Sequence, residues 1–302
     1  MTLSFSTLFQ NTHALEGNIA LVNAINESSI QVIHDVLTQT NATFTLYNDQ
    51  DVSELIRSFE LPASMLKRIH IHTFDDEHSA LSACLTDLDA QRVDILMKGL
   101  IPTSQILSAV LKHLRHTQGE NYFLNHIACC DIPAYHKLLF ISDVALNIHP
   151  SLEEHQKIIN NIKRFTHKLG YTDLKVALLS SVEKPSEKIP SSVHADQLKQ
   201  YYANSNEIEG VVVDGPFALD NAIDKQSALL KGITSPVAGD ADVIIVPQLD
   251  VGNALYKSLT YFGHAKVASL MICTPYPIVL TSRADSVTNK TLSVLLALKT
   301  LA

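Results

Sequence analysis

Short apolar runs alternate with amphipathic helical patterns along nearly the whole chain, and this rhythm restricts the fold more than any single motif. Residues 18–23 read as a strand, 28–37 as an amphipathic helix and 43–47 as a strand. The rhythm repeats with a helix start at Asp51-Val52-Ser53-Glu54, a strand over 70–74 and a helix over 78–88. Residues 93–99 form the next strand, followed by a helix over 105–114 and by strands over 126–130 and 137–142. Ser151 and Glu154 make a capping box ahead of a long helix reaching Lys168. Beyond it lie a strand over 175–179, a polar loop over 181–192 with Pro185 and Pro190, and a helix over 195–202. Strands follow over 211–216, 243–246 and 265–273, with a helix starting near Ala218 and another opened by Asp250-Val251-Gly252-Asn253. The expected class is α/β, with parallel or mixed sheets carrying helices on both faces. With 302 residues and 46% of them hydrophobic, the chain fills two domains rather than one. The first crossing into the second domain is placed near residue 146.

Two strand ends carry chemistry. Pro277-Ile278-Val279-Leu280 runs into Thr281-Ser282-Arg283-Ala284-Asp285-Ser286 and then into a helical pattern reaching the C-terminus. Hydroxyls and an arginine just before a helix N-terminus suit an anion, because unpaired amides and the helix dipole point there. A plain helix cap accounts for the same residues. Met97-Lys98-Gly99 ends another strand, and Pro102-Thr103-Ser104 opens the next helix. Glycine admits close backbone approach, a hydroxyl residue opens the helix and lysine adds charge, the order a phosphate-binding loop needs. An ordinary capped helix with a solvent-facing lysine is the other reading. The G-x-x-x-x-G-K-[ST] signature of nucleotide triphosphatases is absent.

Several function classes are disfavoured. The net charge of −8 argues against a general nucleic-acid binder. Met1 to Gln10 lacks the basic start of a signal peptide, and no apolar run approaches the roughly 18 residues that span a bilayer, so a cytoplasmic protein without membrane partners is expected. The four cysteines form no C-x-x-C pair and read as buried thiols. His70/His72 and His113/His116 have ligand-like spacings, but no second cluster accompanies them, and no metal site is expected. Asp214, Asp240, Asp242 and Asp250 cluster at strand ends in the second half. They either orient backbone amides in tight loops or bind a divalent metal with Asp220 and Asp224, four residues apart on one helix face, as in metal-dependent decarboxylating dehydrogenases. No G-x-G-x-x-G fingerprint accompanies the second reading.

From about Val93 onward the motifs resemble a known family. Met97-Lys98-Gly99, Tyr135-His136-Lys137-Leu138-Leu139, Ser142-Asp143 with Asn147, and Val213-Asp214-Gly215-Pro216 with Ala218-Leu219-Asp220-Asn221-Ala222 look like the phosphate acetyl/butyryltransferases. So do Ser235-Pro236-Val237-Ala238-Gly239-Asp240-Ala241-Asp242, Gly252-Asn253-Ala254-Leu255-Tyr256-Lys257, and Thr281-Ser282-Arg283-Ala284-Asp285-Ser286, with wording closer to the butyryl branch.

The resemblance implies an isocitrate/isopropylmalate dehydrogenase-like fold. Its first domain would hold residues 1–145 plus 279–302 and its second 146–278, with the active site in the cleft between them. It implies reversible transfer of a short acyl group, butyryl or acetyl, between CoA and inorganic phosphate. CoA, acyl-CoA and phosphate would be substrates, no cofactor would be tightly bound, and a homodimer or higher homo-oligomer is expected. Ser282 and Arg283 map to the reacting centre. Arg283 would grip phosphate with a planar donor fork, and Ser282 would donate to developing charge or to the leaving sulfur. In the acetyl branch an aspartate lies seven residues beyond that serine; the same count here reaches Asn289, which cannot take a proton. Asp285 is the nearest carboxylate and the candidate replacement base; a structural acid in the helix first turn is the other reading. Lys98, Gly99, Thr103, Ser104 and Asp240 are the substrate-binding candidates. The alternatives are a metal- and NAD(P)-dependent dehydrogenase of the same fold and a non-catalytic CoA or phosphate sensor.

Overall fold

The computed structural model describes residues 4–119, 122–204 and 209–301; residues 1–3 and 302, the ends assigned above to the first domain, lie outside the described residues. Among the described residues the strands are β1 (Asn18–Val22), β2 (Thr43–Asn48), β3 (Ile69–Thr73), β4 (Ile95–Lys98), β5 (Asn125–Asp131), β6 (Leu139–Ser142), β7 (Leu174–Leu179), β8 (Val211–Phe217), β9 (Val243–Ile245), β10 (Lys266–Ile272) and β11 (Ile278–Val279). The chain divides into two compact units. An outer unit comprises Phe9–Tyr122 and the C-terminal segment from Ala268, and a central unit comprises Phe123–Val267 with the segment ending at Leu8.

In the outer unit the strand order is β3-β2-β1-β4-β11-β10. β1, β2, β3, β4 and β11 run parallel to their neighbours, while β11 meets β10 antiparallel through Met271 and Ile278. All four residues of β4 are buried, as expected of a strand covered on both faces. The helix Glu27–Gln39 forms because Ile30, Ile33, Val36 and Leu37 share one apolar face, which is buried; each such side chain contributes about 1.5–3 kcal/mol. Asn26 caps it, accepting from the Ser29 amide at 2.9 Å. The helix Val287–Lys299 buries Val294, Leu295, Leu296 and Leu298 and is capped by Ser286, which accepts from the Asn289 amide at 3.2 Å. The helix Thr103–Gln118 stops at Gly119, whose φ of 66° suits the left-handed C-cap.

The central unit orders its strands β5-β6-β9-β7-β8, with β5 and β6 antiparallel and the remaining pairs parallel. Its core gathers Ile141, Ala177, Phe217, Val237, Ile244 and Val267. The Ser151–Glu154 capping box is present at the start of the helix Leu152–Lys168. The sheets are thus mixed in both units.

Two expectations change, both in the central unit. The compact units themselves divide at 8/9, 122/123 and 267/268. The strand pair β5/β6 goes with the central unit because β6 pairs with β9 through Phe140 and Val243, about a hundred residues downstream. The polar stretch 181–192 is not loop throughout, since the helix Pro190–Asn204 begins inside it, with Pro190 at a first-turn position where its missing N–H costs nothing.

The second change concerns the acidic pair. Asp220 and Asp224 do not share one helix face: the helix Leu219–Ile223 ends at Asp224, which becomes the N-cap of the next helix and accepts from the Ser227 amide at 2.7 Å.

Candidate active site

β4 and β11 are parallel neighbours, with Leu96 opposite Ile278 and Met97 opposite Val279. Their C-terminal ends therefore open side by side, one into Gly99 and the helix Thr103–Gln118, the other into Thr281–Ser286 and the helix Val287–Lys299. β1 flanks β4 on its other side, with Val22 opposite Lys98. The chain leaves β1 for β2 on one side and returns to β4 on the other, so the C-terminal ends of β1 and β4 form a topological switch point, where open α/β sheets bind ligands.

Gly99 belongs to this edge for a steric reason. A Cβ there would sit 2.2 Å from the Asn23 carbonyl oxygen and 2.5 Å from that of Val22, both backbone. Those carbonyls are the acceptors for the Leu100 and Gly99 amides at 2.9 and 2.8 Å, so the loop after β4 crosses the end of β1 in direct backbone contact.

Lys98 is only 5% exposed. Its ammonium donates to the carbonyls of Gly99 and Ile101, each at 3.2 Å. Burial first, then the positive charges of Arg283 and Lys290, push it below the ordinary lysine range, while Asp285 acts in the opposite direction. Lys290 is also held low by burial, against Asp285, and donates to the Ser28 hydroxyl at 3.0 Å. Among the described residues none of Lys98, Arg283 and Lys290 forms an ion pair with a carboxylate. Three basic side chains in one another's field suit a small multivalent anion.

The turn carrying Ser282 and Arg283 is built by Asp285. Its carboxylate accepts from the Ser282 amide at 2.7 Å, and its own amide donates to the Ser282 carbonyl at 3.1 Å. Asp285 precedes the Ser286 cap, so it stands just outside the helix rather than in its first turn. Ser282 Oγ accepts weakly from the Ala284 amide at 3.3 Å, and both Ser282 and Arg283 are exposed. Thr103 and Ser104 open their helix with Pro102 at the N-cap position, no side chain caps its amides, and both residues are exposed.

Ser282, Arg283, Asp285, Lys98, Gly99, Thr103 and Ser104 all belong to the outer unit. Asp240 belongs to the central unit. There its carboxylate takes hydrogen bonds from Lys175 and from His136 at 2.8 Å, and Lys137 lies at 3.0 Å. Burial raises its pKa, but the hydrogen bonds from Lys175, Lys137 and His136 outweigh burial and hold the carboxyl well below its usual range. The neighbouring acids are similarly engaged: Asp242 accepts from the Lys175 amide at 2.8 Å and pairs with Lys137 at 2.6 Å, and Asp214 pairs with Lys199 at 2.7 Å. Of the histidines with ligand-like spacing, His113 contacts Asp89 at 2.7 Å. Among the described residues no group of three or more His, Cys, Asp or Glu side chains is arranged to hold a metal ion, and no helix is long and apolar enough to cross a membrane.

Lys290 and Ser28 escaped the reading of the sequence, although Lys290 left a signal. It stands four residues past the Ser286 cap, in a first turn where the helix dipole favours acids and where no acid is present. A cation at that position gains a purpose when an anion is bound beside it.

The model of the phosphate acetyl/butaryl transferase family matches residues 78–298. The chain belongs to this family. It is 39% identical over 281 residues to a probable phosphate butyryltransferase of Bacillus subtilis (strain 168), a match covering 93% of this chain and 92% of that one. It is 38% identical over 225 residues to a phosphate acetyltransferase of Rhizobium meliloti, covering 74% and 71% of the two chains. Among solved structures, a branched-chain phosphotransacylase from Enterococcus faecalis V583 superposes with a TM-score of 0.80 at 30% identity, covering 94% of this chain and 99% of that one. As a member of the phosphate acetyl/butaryl transferases, the chain is similar to relatives named for both the butyryl and the acetyl reaction.

Proposed function

We propose that this chain catalyses acyl-CoA + phosphate ⇌ acyl phosphate + CoA on a short acyl group, butyryl or acetyl. The observation that carries the reading is the grouping of Lys98, Arg283 and Lys290 at the C-terminal edge of β4 and β11. The reaction needs a held phosphate, a stabilised tetrahedral oxyanion and a managed thiol proton. Arg283 supplies the planar fork that grips two phosphate oxygens, and the ammonium of Lys290 adds charge. The uncapped amides at Thr103 and Ser104 offer a helix N-terminus to the same anion, and Gly99 lets that loop lie against β1. Ser282 donates its hydroxyl proton to the developing oxyanion or the leaving sulfur. Asp285 holds the turn that presents both residues.

CoA, acyl-CoA and phosphate are substrates in this reading, with no tightly bound cofactor. The isocitrate/isopropylmalate dehydrogenase-like class, a cytoplasmic setting and a homodimer or larger homo-oligomer complete it; light scattering on the purified chain tests the last. The decisive experiment is a panel of initial rates with acetyl-, propionyl-, butyryl- and isobutyryl-CoA, with and without phosphate. Release of free CoA that requires phosphate supports the proposal. Binding of CoA without turnover would favour a sensor, and reduction of added NAD(P) in a separate assay with a divalent metal and an oxidisable substrate would favour a dehydrogenase.

A further inference from the structure

We propose that Lys98 carries the proton that moves between the CoA sulfur and the phosphate oxygen. The proposal rests on the acyl-transfer reading above and deepens it. Position 289 holds an asparagine, which has no ionisable group. Asp285, the carboxylate at hand, is committed to the Ser282 amide in the turn that presents Ser282 and Arg283.

The proton balance of the reaction needs only one exchanging group. Hydrogen phosphate dianion attacks the thioester carbonyl, a C–O bond forms, the C–S bond breaks, and acyl phosphate dianion and CoA thiol leave. The proton lost by phosphate is the proton gained by sulfur. An amine that takes it from the phosphate hydroxyl and returns it to the departing thiolate ends the cycle as it began. In the opposite direction the amine takes the thiol proton, and the ammonium returns it to phosphate.

Lys98 has the geometry for this. A neutral lysine offers two N–H bonds and one lone pair, and the carbonyls of Gly99 and Ile101, both at 3.2 Å, take the two N–H bonds. The lone pair then points away from both carbonyls, with Nζ pinned by them. Lys98 ends β4 beside the strand that delivers Ser282 and Arg283. The charged groups facing it are Arg283 and Asp285 from the turn and Lys290 from the following helix. Burial and the two basic neighbours hold the Lys98 pKa below the ordinary lysine range, toward the range where an amine exchanges protons, and its two carbonyl partners fix Nζ in place.

The test separates a proton carrier from a fixed cation. Lys98→Arg keeps a donor for the carbonyls of Gly99 and Ile101, fixes a permanent charge there and removes the exchange. With butyryl-CoA and phosphate, kcat should fall about 100-fold or more while the KM for phosphate stays within about threefold. A Lys98→Arg enzyme that keeps kcat within about threefold overturns the proposal.

Should that variant fail to fold, Lys290→Gln tests the same claim through the pH profile in the CoA-consuming direction. Activity there needs neutral Lys98 and falls as pH drops through its pKa. Removing the neighbouring cation raises that pKa, so the low-pH limb of kcat should move to higher pH, while the ionisation of CoA itself is unchanged. A limb that stays in place overturns the proposal. Wild-type enzyme without phosphate-dependent turnover overturns the acyl-transfer reading and this proposal together, whereas normal wild-type turnover with an active Lys98→Arg overturns this proposal alone.

Discussion

Gly99→Ala is the smallest change that should disturb both the outer unit and its site. The added methyl would lie 2.2 Å from the Asn23 carbonyl oxygen, 2.5 Å from that of Val22 and 2.6 Å from the Asn23 carbonyl carbon. None of these is the flexible end of a side chain, so the backbone itself must retreat by about 1 Å to restore ordinary contact. That retreat pulls apart the Gly99–Val22 and Leu100–Asn23 hydrogen bonds, now 2.8 and 2.9 Å. Each is worth about 1 kcal/mol net, and the residual strain of an overpacked site adds about 1–3 kcal/mol, so the expected loss is about 3–5 kcal/mol. The chain has no tryptophan, so urea unfolding is followed by far-ultraviolet circular dichroism. Gly119→Ala is the control. No atom lies within 4 Å of the added methyl, and only the left-handed φ of 66° is penalised, at about 1 kcal/mol. Because Lys98 donates to the Gly99 carbonyl, turnover should fall with stability. A Gly99→Ala protein that loses less than about 1 kcal/mol would show that the crossing of the β4 loop over β1 is looser than the backbone contacts require.

Other perturbations follow from the same geometry. Thr103→Val should leave stability within about 0.5 kcal/mol, since no side chain caps that helix, and should raise the KM for phosphate severalfold; an unchanged KM would remove Thr103 from the phosphate site. Asp285→Asn keeps an oxygen to accept from the Ser282 amide, so kcat should stay within about tenfold of wild type; a loss beyond about 1000-fold would restore Asp285 as the general base. Asp240 has a depressed folded pKa, so its stabilising contribution is complete above the ordinary carboxylate value of 3.8 and is lost as pH falls from there through the folded pKa. Asp240→Asn should therefore lower stability at neutral pH and flatten the acid limb of a stability-against-pH curve; an unchanged acid limb would contradict the ion cluster with Lys175, Lys137 and His136. Ser151→Ala should cost about 1 kcal/mol in denaturant unfolding through loss of the capping box, and no change would place the helix start elsewhere.

Much of this architecture was legible because local patterns and the fold agree. The alternation of apolar runs and amphipathic helices located the strands, and the Ser151–Glu154 box located a helix start to the residue. The stretch from Thr281 to Ser286 could be recognised as a strand end entering a helix, since its hydroxyls and arginine stand out against the apolar run before them. Pairings between distant segments left no comparable mark. β6 joins the central unit because Phe140 meets Val243, and nothing around residue 140 announces that partner. The antiparallel contact of β11 with β10 rests on the chain reversing between Ile272 and Ile278, which decides for the mixed form of the expected parallel or mixed sheet. Spacing misled at Asp220 and Asp224, where four residues fit one helical turn, yet the hydrogen bond of Asp224 to the Ser227 amide starts a new helix instead. For the candidate site, hydroxyls and glycine pointed to the loops after β4 and β11, while Lys290 required knowing which helix dipole it opposes.

The central claim is that inorganic phosphate reacts at the edge formed by Lys98, Arg283 and Lys290. Phosphate saturation of CoA release from butyryl-CoA, compared between wild type and Arg283→Ala, tests it most directly. The account predicts no release without phosphate in the wild type, saturation with rising phosphate, and a kcat/KM for phosphate at least about 100-fold lower in the variant with the fold intact. Phosphate-independent release in the wild type, or an unchanged phosphate dependence in Arg283→Ala, would contradict it.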